Sequence, residues 1–300
     1  MAAETKTSAS SQGELVKSAL YRSPHPLVDI GFNFVDKSFD KARELFDRTD
    51  ILERAREANV QGLIITGTSV ACSLSAQQLC HSSDLGNSLH FTAGVHPHDA
   101  KSCDEGTIDQ LRMLADDPKC VAIGECGLDF NRNFSPQSVQ EEWFEKQVVL
   151  AKEVKKPLFM HCRDAADKFC EIIGRHMPLG VPAVVHCFTG NEAELRRFLS
   201  LDLFIGITGW VCDERPERGG AELAALLPNI PIDRLMIESD APYLTPRSIV
   251  PSKARPSRNE PALLPHVLRA VAKATGRPEA EVAQQTSAVA ERVFGVVVSE

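Results

Sequence analysis

The chain has 300 residues, of which 25% are charged and 43% hydrophobic, which is the composition of an ordinary globular protein with a buried core. Its formal net charge of −8 excludes bulk electrostatic attraction to a polyanion, so a polyanionic ligand would need a local basic site or a bound cation. No run approaches the roughly 18 uninterrupted apolar residues of a membrane span, so we expect no membrane partner.

The first 25 residues are polar, rich in Ser, Ala and Thr, and lack the apolar segment of a secretory signal. They predict a disordered tail, followed by a single domain over residues 26–300. Nine cysteines are scattered without a C-x-x-C pair, a pattern that argues against a disulfide framework and indicates a reducing compartment. We therefore expect an intracellular protein of the cytoplasm or nucleus, with a mitochondrial location left open. The sequence predicts no oligomeric state.

Short apolar runs alternate with helical patterns along the rest of the chain. The runs indicate buried strands, and apolar residues recurring at threes and fours indicate amphipathic helices. In chain order the patterns predict strand 27–30, helix 40–59, strand 62–66, helix 71–81, strand 89–95, helix 106–116, strand 121–124, helix 136–155, strand 158–160, helix 165–175, strand 183–185, helix 192–199, strand 204–207, helix 219–227, strand 235–237 and helices 261–275 and 278–293.

Eight strand–helix units within about 270 residues predict a (β/α)8 TIM-type barrel with a polar N-terminal tail. A doubly wound open sheet is the competing architecture. The chain contains neither a G-x-G-x-x-G motif after a strand nor a P-loop, so it lacks the nucleotide-binding signatures common in open sheets.

Four potential metal ligands follow the fourth, fifth, sixth and eighth predicted strands, namely Glu125, His161, His186 and Asp240. Because the C-terminal ends of barrel strands meet at one face, we expect these side chains to converge there. Two imidazoles and two carboxylates predict a hydrolytic centre with one or two divalent cations, in which a carboxylate can also take a proton from water. Carboxylates favour Mg²⁺ or Mn²⁺ and imidazoles favour Mn²⁺ or Zn²⁺, which leaves the metal open.

Further polar residues are predicted near the same mouth. His96 lies just past the third strand and is predicted to contact substrate or transfer a proton, while His98 has a plain loop role as an equal alternative. Arg163 should face the same way as the histidine two residues before it. Its guanidinium could hold a phosphate or pair with Asp164 or Asp129.

The segment 241–259 carries four basic residues and no acidic one, namely Arg247, Lys253, Arg255 and Arg258. It follows the eighth strand and so should lie near the mouth. Local positive charge on an acidic protein is what a phosphate-backbone substrate needs, although such a loop is often simply solvated.

These residues stand in motifs that resemble the TatD family of metal-dependent deoxyribonucleases, within the barrel-shaped metal-hydrolase superfamily. The resemblance covers roughly residue 27 to the C-terminus, in family order. Its motifs are Asp29-Ile30-Gly31, Ile65-Thr66-Gly67-Thr68, Ala93-Gly94-Val95-His96-Pro97-His98, Ala122 to Phe130, Phe159 to Asp164, Val185 to Gly190, Ile205 to Trp210, Ile237 to Leu244 and Arg258-Asn259-Glu260-Pro261.

The resemblance implies a role for each of these residues. Glu125 would be a metal ligand that bridges if two ions bind, and His161 and His186 would complete one metal site. Asp240 would serve the other ion or activate its water, and His96 would be a functional residue of the mouth. We count Asp240 and His96 as the candidate catalytic residues.

The implied activity is hydrolysis of DNA phosphodiester bonds, as a 3′→5′ exonuclease on single strands, helped by Mg²⁺, with RNA as an alternative substrate. The resemblance also implies a place in DNA repair or DNA degradation. One departure concerns the first strand, where many superfamily members carry His-x-His and this chain reads Gly31-Phe32-Asn33. Asn33 can offer an oxygen, and we group it with Arg163 and Arg258 as candidate substrate-binding residues.

Two other functions compete with this one. A metal-dependent hydrolase of a small ester, lactone or cyclic amide would use the same barrel, but such enzymes often bridge their metals with a carbamylated lysine, and Glu125 occupies that position. A non-catalytic interaction barrel is the third alternative. It would have no reason to collect acids and imidazoles at one mouth.

Overall fold

Eight short apolar segments pair in sequence order into one parallel sheet that curves into a barrel. The computed structural model describes residues 9–40, 48–85 and 88–298. The strands are β1 (Leu27–Phe32), β2 (Val60–Ile65), β3 (Leu89–Ala93), β4 (Cys120–Asp129), β5 (Leu158–Arg163), β6 (Ala183–Val185), β7 (Phe204–Ile207) and β8 (Leu235–Ile237). The predicted (β/α)8 barrel is confirmed.

Helices connect the strands and form the outer layer. They are α1 (Ala9–Ala19), α2 (Lys37–Asp40), α3 (Arg48–Glu57), α4 (Val70–Cys80), α5 (Thr107–Ala115), α6 (Gln137–Val154), α7 (Ala166–Arg175), α8 (Glu192–Ser200), α9 (Gly220–Leu226), α10 (Leu264–Thr275) and α11 (Glu279–Phe294). The predicted helix 40–59 corresponds to the end of α2 and to α3, while residues 41–47 lie outside the described part. Where a helix was predicted over 261–275, a 3₁₀ turn at Pro261–Leu263 precedes α10.

The strands are apolar throughout because both of their faces are covered. Inward-facing side chains fill the barrel with a cluster that includes Ile30, Ile64, Phe159, Val184 and Met236, all fully buried. Val289, Val293 and Phe294 of α11 belong to the same cluster. The opposite faces of the strands pack against the surrounding helices in a larger cluster. The potential metal-ligand residues at the mouth therefore lie directly above a well-packed hydrophobic interior.

β4 and β5 continue beyond the predicted strands and remain paired to their ends, with Gly127 opposite His161 and Asp129 opposite Arg163. An irregularity in the register falls between Ile123 and Cys126. Glu125 and His161 consequently lie within strands rather than closing them.

Backbone hydrogen bonds join the segment after β8 to β1 and close the ring at the mouth. The Asp240 amide donates to the Gly31 carbonyl at 2.9 Å, and the Asn33 amide donates to the Ala241 carbonyl at 2.7 Å. The side chain of Asp29 accepts from the Ser239 amide at 2.9 Å. The position of Asp240 is thus set by the first strand, more than 200 residues away in the chain.

Within the predicted tail over residues 1–25, the described residues 9–19 form the helix α1, while the disorder of the tail as a whole stays a prediction. Val16 is fully buried, and the Gln12 amide donates to the Arg258 carbonyl at 2.7 Å. The Ala19 carbonyl is 2.8 Å from Nε2 of His266. This polar helix is stabilised by tertiary contacts that local composition does not reveal. None of the described helices has both the length and the apolar character needed to cross a membrane.

Candidate active site

The side chains that the sequence places at strand ends meet at the C-terminal mouth of the barrel, where barrel enzymes do their chemistry. All of them line one cleft of about 740 Å³. They are His96 after β3, Glu125 within β4, His161 within β5, His186 directly after β6 and Asp240 after β8. The structure brings these residues together, while their individual roles stay predictions.

One oxygen of Glu125 is the centre of this cluster. Its Oε1 lies 2.7 Å from Nε2 of His186, 3.2 Å from Nδ1 of His161 and 3.3 Å from Nε2 of His96. Only 5% of Glu125 is exposed. Imidazoles from three different strand ends therefore surround a single buried carboxylate, which is how protein sites for divalent cations are built.

Among the described residues, His96, Glu125 and His161 form a possible metal-binding group, whose ligand atoms all lie within 4.8 Å of one another. The sequence instead predicted that His186 would share the ion with Glu125 and His161. His186 contacts the same carboxylate from beneath, where its ring stacks on Phe159 with centroids 4.5 Å apart. Its role as a ligand stays a prediction, and the structure adds His96 to the candidates.

The electrostatics of the cluster favour an ionised Glu125 beside protonated His161 and His186, whereas burial lowers the pKa of His96. Burial raises the pKa of Glu125, but the imidazoles of His186 and His96 outweigh it and hold the pKa well below its usual range. Burial lowers the pKa of His186, but the Glu125 and Glu238 carboxylates raise it well above its usual value. A cation that binds here must displace imidazole protons, so metal binding will release protons.

Asp129, the last residue of β4, supports the cluster from the other side. Its Oδ2 is 2.7 Å from Nε2 of His98 and 3.4 Å from Nε2 of His161. Burial raises the pKa of Asp129, but hydrogen bonds from His161, the Arg132 amide and His98 lower it overall. A carboxylate that orients ligand histidines is a common outer partner of metal sites. The sequence signal was a second carboxylate in the same strand as Glu125.

Asp240 and Glu238 form the acidic side of the mouth. Burial, together with the charges of Glu238 and Glu125, raises the pKa of Asp240 to about 7. Nδ2 of Asn33 donates to Asp240 Oδ1 at 3.0 Å. Glu238 is fully buried, accepts from the Cys187 amide at 2.5 Å and lies 3.4 Å from Nδ1 of His186. Sequence reasoning missed Glu238, although it directly follows β8 and stands two residues before Asp240.

The donor set fits a divalent cation. In the described part of the chain, three buried atoms at this mouth lack a well-formed hydrogen bond, namely His161 Nε2, His186 Nδ1 and Glu238 Oε2. Buried polar atoms are rarely left without a partner, because the loss costs roughly 1–3 kcal/mol each. Free imidazole nitrogens and a free carboxylate oxygen are ligands for Mn²⁺, Zn²⁺ or Mg²⁺.

Basic and aromatic side chains line the cleft above the cluster. The basic ones are Lys37, Arg132 and Arg163, and the large aromatic ones are Trp210 and Tyr243. The predicted pairing of Arg163 with a neighbouring acid does not occur: Asp129 is held by His98, and Asp164 accepts from the Asn131 amide group at 2.7 Å. The Arg163 guanidinium is therefore available for a phosphate.

Arg258 is placed differently from the prediction. Its guanidinium donates to the Ser38 carbonyl at 2.8 Å and to Glu260 at 3.1 Å, and it lies over the Phe39 ring at 4.8 Å. Only 14% of its side chain is exposed. Arg255 likewise donates to backbone carbonyls of its own loop. These two side chains of the predicted basic loop are thus bonded within the protein and do not line the cleft, while substrate binding by Arg258 stays a prediction.

Comparison with known protein families decides the identity of the fold. The family model described as TatD related DNase matches residues 28–295. The chain belongs to the TatD-related DNase family. Every candidate site residue lies within the matched range, whereas α1 precedes it. The family resemblance predicted from the motifs is confirmed.

Curated TatD relatives are similar over almost the whole chain. A 3′-5′ ssDNA/RNA exonuclease TatD from Klebsiella pneumoniae is 45% identical over 91% of this chain and 99% of its own length. A protein of the same name from Pectobacterium atrosepticum is 46% identical over 89% of this chain and 99% of its own.

Solved structures carry the same fold at lower identity. A TatD family hydrolase from Entamoeba histolytica superposes with a TM-score of 0.80 at 24% identity, covering 92% of this chain and all of that one. The TatD homologue YjjV from Escherichia coli superposes with a TM-score of 0.77 at 24% identity, covering 90% and 98%. The TatD-type barrel is thus established by both sequence and structure.

Proposed function

We propose that this TatD-family protein is a divalent-metal-dependent nuclease that removes nucleotides from the 3′ end of single-stranded DNA, with RNA as a second substrate. The observation that carries the proposal is the convergence of three imidazoles on one buried oxygen of Glu125. The names of the curated relatives supply the substrate and the polarity. A role in DNA repair or DNA degradation, and a location in the cytoplasm or nucleus, stay predictions.

His96, Glu125 and His161 would hold the first cation, with His186, Glu238 and Asp240 available for a second. When bound, a divalent cation supplies charge stabilisation at the phosphoryl oxygens and acidifies water. We propose Mg²⁺ as the physiological ion. The imidazole-rich donor set also suits Mn²⁺ and Zn²⁺.

Asp240 is the best candidate for the general base. In the metal-free protein, burial and the neighbouring carboxylates raise its pKa to about 7, and a raised pKa makes a carboxylate a stronger base toward a proton of water. Asn33 fixes one carboxylate oxygen, and the turn after β8 fixes the backbone. Asp240 can therefore receive a proton without reorienting.

The basic side chains of the cleft would bind the substrate backbone. Arg163 stands two residues beyond His161 on the same strand face, so its guanidinium reaches the space directly above the cation ligands. A phosphodiester held by this guanidinium faces the carboxylate of Asp240 across the mouth. This positive charge distinguishes the cleft from the site of an enzyme that hydrolyses neutral esters or lactones.

The test is product analysis on single-stranded DNA labelled at its 5′ end, with EDTA, Mg²⁺ or Mn²⁺. A nuclease of this type produces a ladder that shortens from the 3′ end only when metal is present. Glu125→Gln should reduce the rate by more than the roughly 10–100-fold expected for loss of an outer partner. Equal degradation by a folded, rigorously purified Glu125→Gln protein would refute the proposal. Turnover of neutral esters with inert DNA would favour the small-molecule hydrolase instead.

A further inference from the structure

A second cavity lies next to the metal cleft. Its volume is about 500 Å³, within the roughly 300–1,000 Å³ of small-molecule sites. The two cavities share the lining residues Cys162, Arg163, Thr189 and Trp210, so they adjoin each other at these residues. We call the second cavity the side lobe. Its size and its position beside the cleft allow one polymeric substrate to contact both cavities.

The side lobe is basic where it joins the cleft and acidic beyond. Arg163 lies at the junction, whereas Glu192, Glu194 and Glu222 line only the side lobe. A phosphate is therefore attracted to the junction and repelled deeper in the lobe. A neutral nucleobase is not repelled, and its amino groups can donate to carboxylates. This charge pattern fits a nucleotide whose phosphate stays at the junction and whose base enters the lobe.

Trp210 provides a wall at the junction that a base could stack against. It belongs to a 3₁₀ turn after β7, and its amide donates to the Thr208 hydroxyl at 3.3 Å. The preceding Gly209 is packed so closely that an added Cβ would lie 2.1 Å from the Leu244 carbonyl oxygen. The backbone that carries the indole is thus held on both sides, and a fixed aromatic ring is an effective stacking platform.

Another edge of the cleft is bridged. The Tyr243 hydroxyl donates to Asp36 Oδ2 at 2.7 Å, which links the loop after β8 to the loop after β1. Both residues line the metal cleft and neither lines the side lobe. A strand whose terminal nucleotide fills the cleft can therefore place its penultimate base in the side lobe, on the side of the cleft away from this bridge, while its upstream phosphates stay outside the acidic part of the lobe.

We propose that the side lobe is the subsite for the nucleotide on the 5′ side of the scissile phosphodiester bond. Its base stacks on Trp210, and the scissile phosphate lies beside Arg163. The inference rests on the proposed exonuclease function and deepens it. In this proposal Trp210 is a positioning residue: it places a polynucleotide substrate by stacking on its penultimate base.

A substrate–variant cycle tests this assignment. The proteins are wild type, Trp210→Ala and Trp210→Phe, and the substrates are a single-stranded oligonucleotide and its copy with an abasic penultimate residue. Removing the indole or the base should each lower kcat/KM about tenfold, the effect expected for one stacked base. Removing both should cost no more than either alone, because they belong to one interaction. Trp210→Phe should keep most of the activity, since it keeps an aromatic face.

A small substrate separates stacking from damage to the metal site. Thymidine 5′-(4-nitrophenyl phosphate) has the scissile bond but no penultimate base. Trp210→Ala should therefore lower the ratio of kcat/KM for the oligonucleotide to kcat/KM for this ester by about tenfold. Met113→Ala, a change at a 73%-exposed residue of α5, is the matched control and should leave the ratio unchanged.

Fluorescence gives a readout that does not depend on turnover. The chain has two tryptophans, and Trp143 is buried in α6. In a Glu125→Gln background, oligonucleotide binding should quench fluorescence, and the additional Trp210→Phe change should remove the quenching.

Three results would each overturn the subsite. The first is that the losses of kcat/KM from Trp210→Ala and from the abasic residue multiply when the two changes are combined. The others are an unchanged ratio of kcat/KM for the oligonucleotide to kcat/KM for the ester in Trp210→Ala, and fluorescence quenching that persists in Trp210→Phe. Failure of the proposed function is recognised separately. In that case the wild-type protein cleaves neither substrate with Mg²⁺ or Mn²⁺, and the subsite falls with it.

Discussion

The ring of His186 lies on the ring of Phe159, with centroids 4.5 Å apart and planes inclined by 28°. Phe159 is fully buried and belongs to the hydrophobic interior of the barrel. The uppermost layer of that interior is thus also the floor of the metal site. Packing within the barrel and the placement of a candidate ligand are therefore coupled.

This coupling predicts that Phe159→Leu weakens metal binding as well as the fold. Loss of ring volume should lower the free energy of unfolding by about 1–2 kcal/mol, less than the roughly 3–5 kcal/mol of a Phe→Ala change. Mn²⁺ affinity, measured by calorimetry, should fall because His186 loses its support. Phe144→Leu is the matched control, since Phe144 is equally buried but stacks on Phe169 in the outer layer. Equal Mn²⁺ affinities in the two variants would contradict the prediction.

Asp129→Asn should weaken the site without removing a first ligand. The amide can still contact His98, but it loses the charge that holds His161. Outer carboxylate partners of metal-binding histidines typically contribute 10–100-fold, so we expect a loss of about that size in Mn²⁺ affinity and in DNA cleavage. Asp109→Asn, on the exposed surface of α5, is the control. A loss of cleavage with unaltered Mn²⁺ affinity would assign Asp129 to substrate contact instead.

The barrel could be predicted from the sequence because parallel strands covered on both faces read as continuous apolar runs. Each predicted run falls within or beside an observed strand. The ends of β4 and β5 could not be predicted, because their extra pairs depend on a register irregularity after Ile123. α1 was missed because its stability comes from contacts with Arg258 and His266, far away in the chain.

The sequence could predict which residues of the candidate site lie near strand ends. It could not predict which residues they contact in the folded protein. Glu125, His161 and Asp240 could be found because each follows an apolar run. Glu238 also follows an apolar run, but its hydrogen bond to the Cys187 amide, 51 residues away, is not visible in any local sequence pattern. The contacts of Arg258 could not be predicted for the same reason, because its partner Ser38 is 220 residues away and only the charge of Arg258 is visible in the sequence.

The stability of the metal-free protein should fall as the pH rises. His161 and His186 have raised pKa values in the fold, so their stabilising charge is present below about 6.5 and is lost as the pH rises through the folded values. The pKa of Asp240 is raised to about 7, so its ionisation at neutral pH also destabilises the fold. Tm of EDTA-treated protein should therefore decrease from about pH 6 to about pH 9.

Divalent metal should reverse this trend, because it binds deprotonated ligands and binds more tightly as the pH rises. Asp240→Asn removes one of the destabilising ionisations, so the decrease without metal should be smaller. A Tm of the metal-free protein that is flat or rises over the same range would show that the imidazoles are not held as cations by Glu125.

Loss of the positive charge at Arg163 should weaken DNA binding, whereas its loss at Arg258 should weaken the fold. Arg163→Gln removes a guanidinium that faces the cleft, so single-stranded DNA binding by the Glu125→Gln protein should weaken. The slope of log affinity against log salt should fall by about 0.7, the value for one phosphate contact on a single strand.

Arg258→Gln instead breaks contacts to Ser38 and to the buried Glu260, so it should lower the free energy of unfolding by about 1–3 kcal/mol. Its salt slope should match that of the parent. A reduced slope in Arg258→Gln would mean that its guanidinium leaves Glu260 to meet the substrate, which would return this residue to the DNA-binding surface.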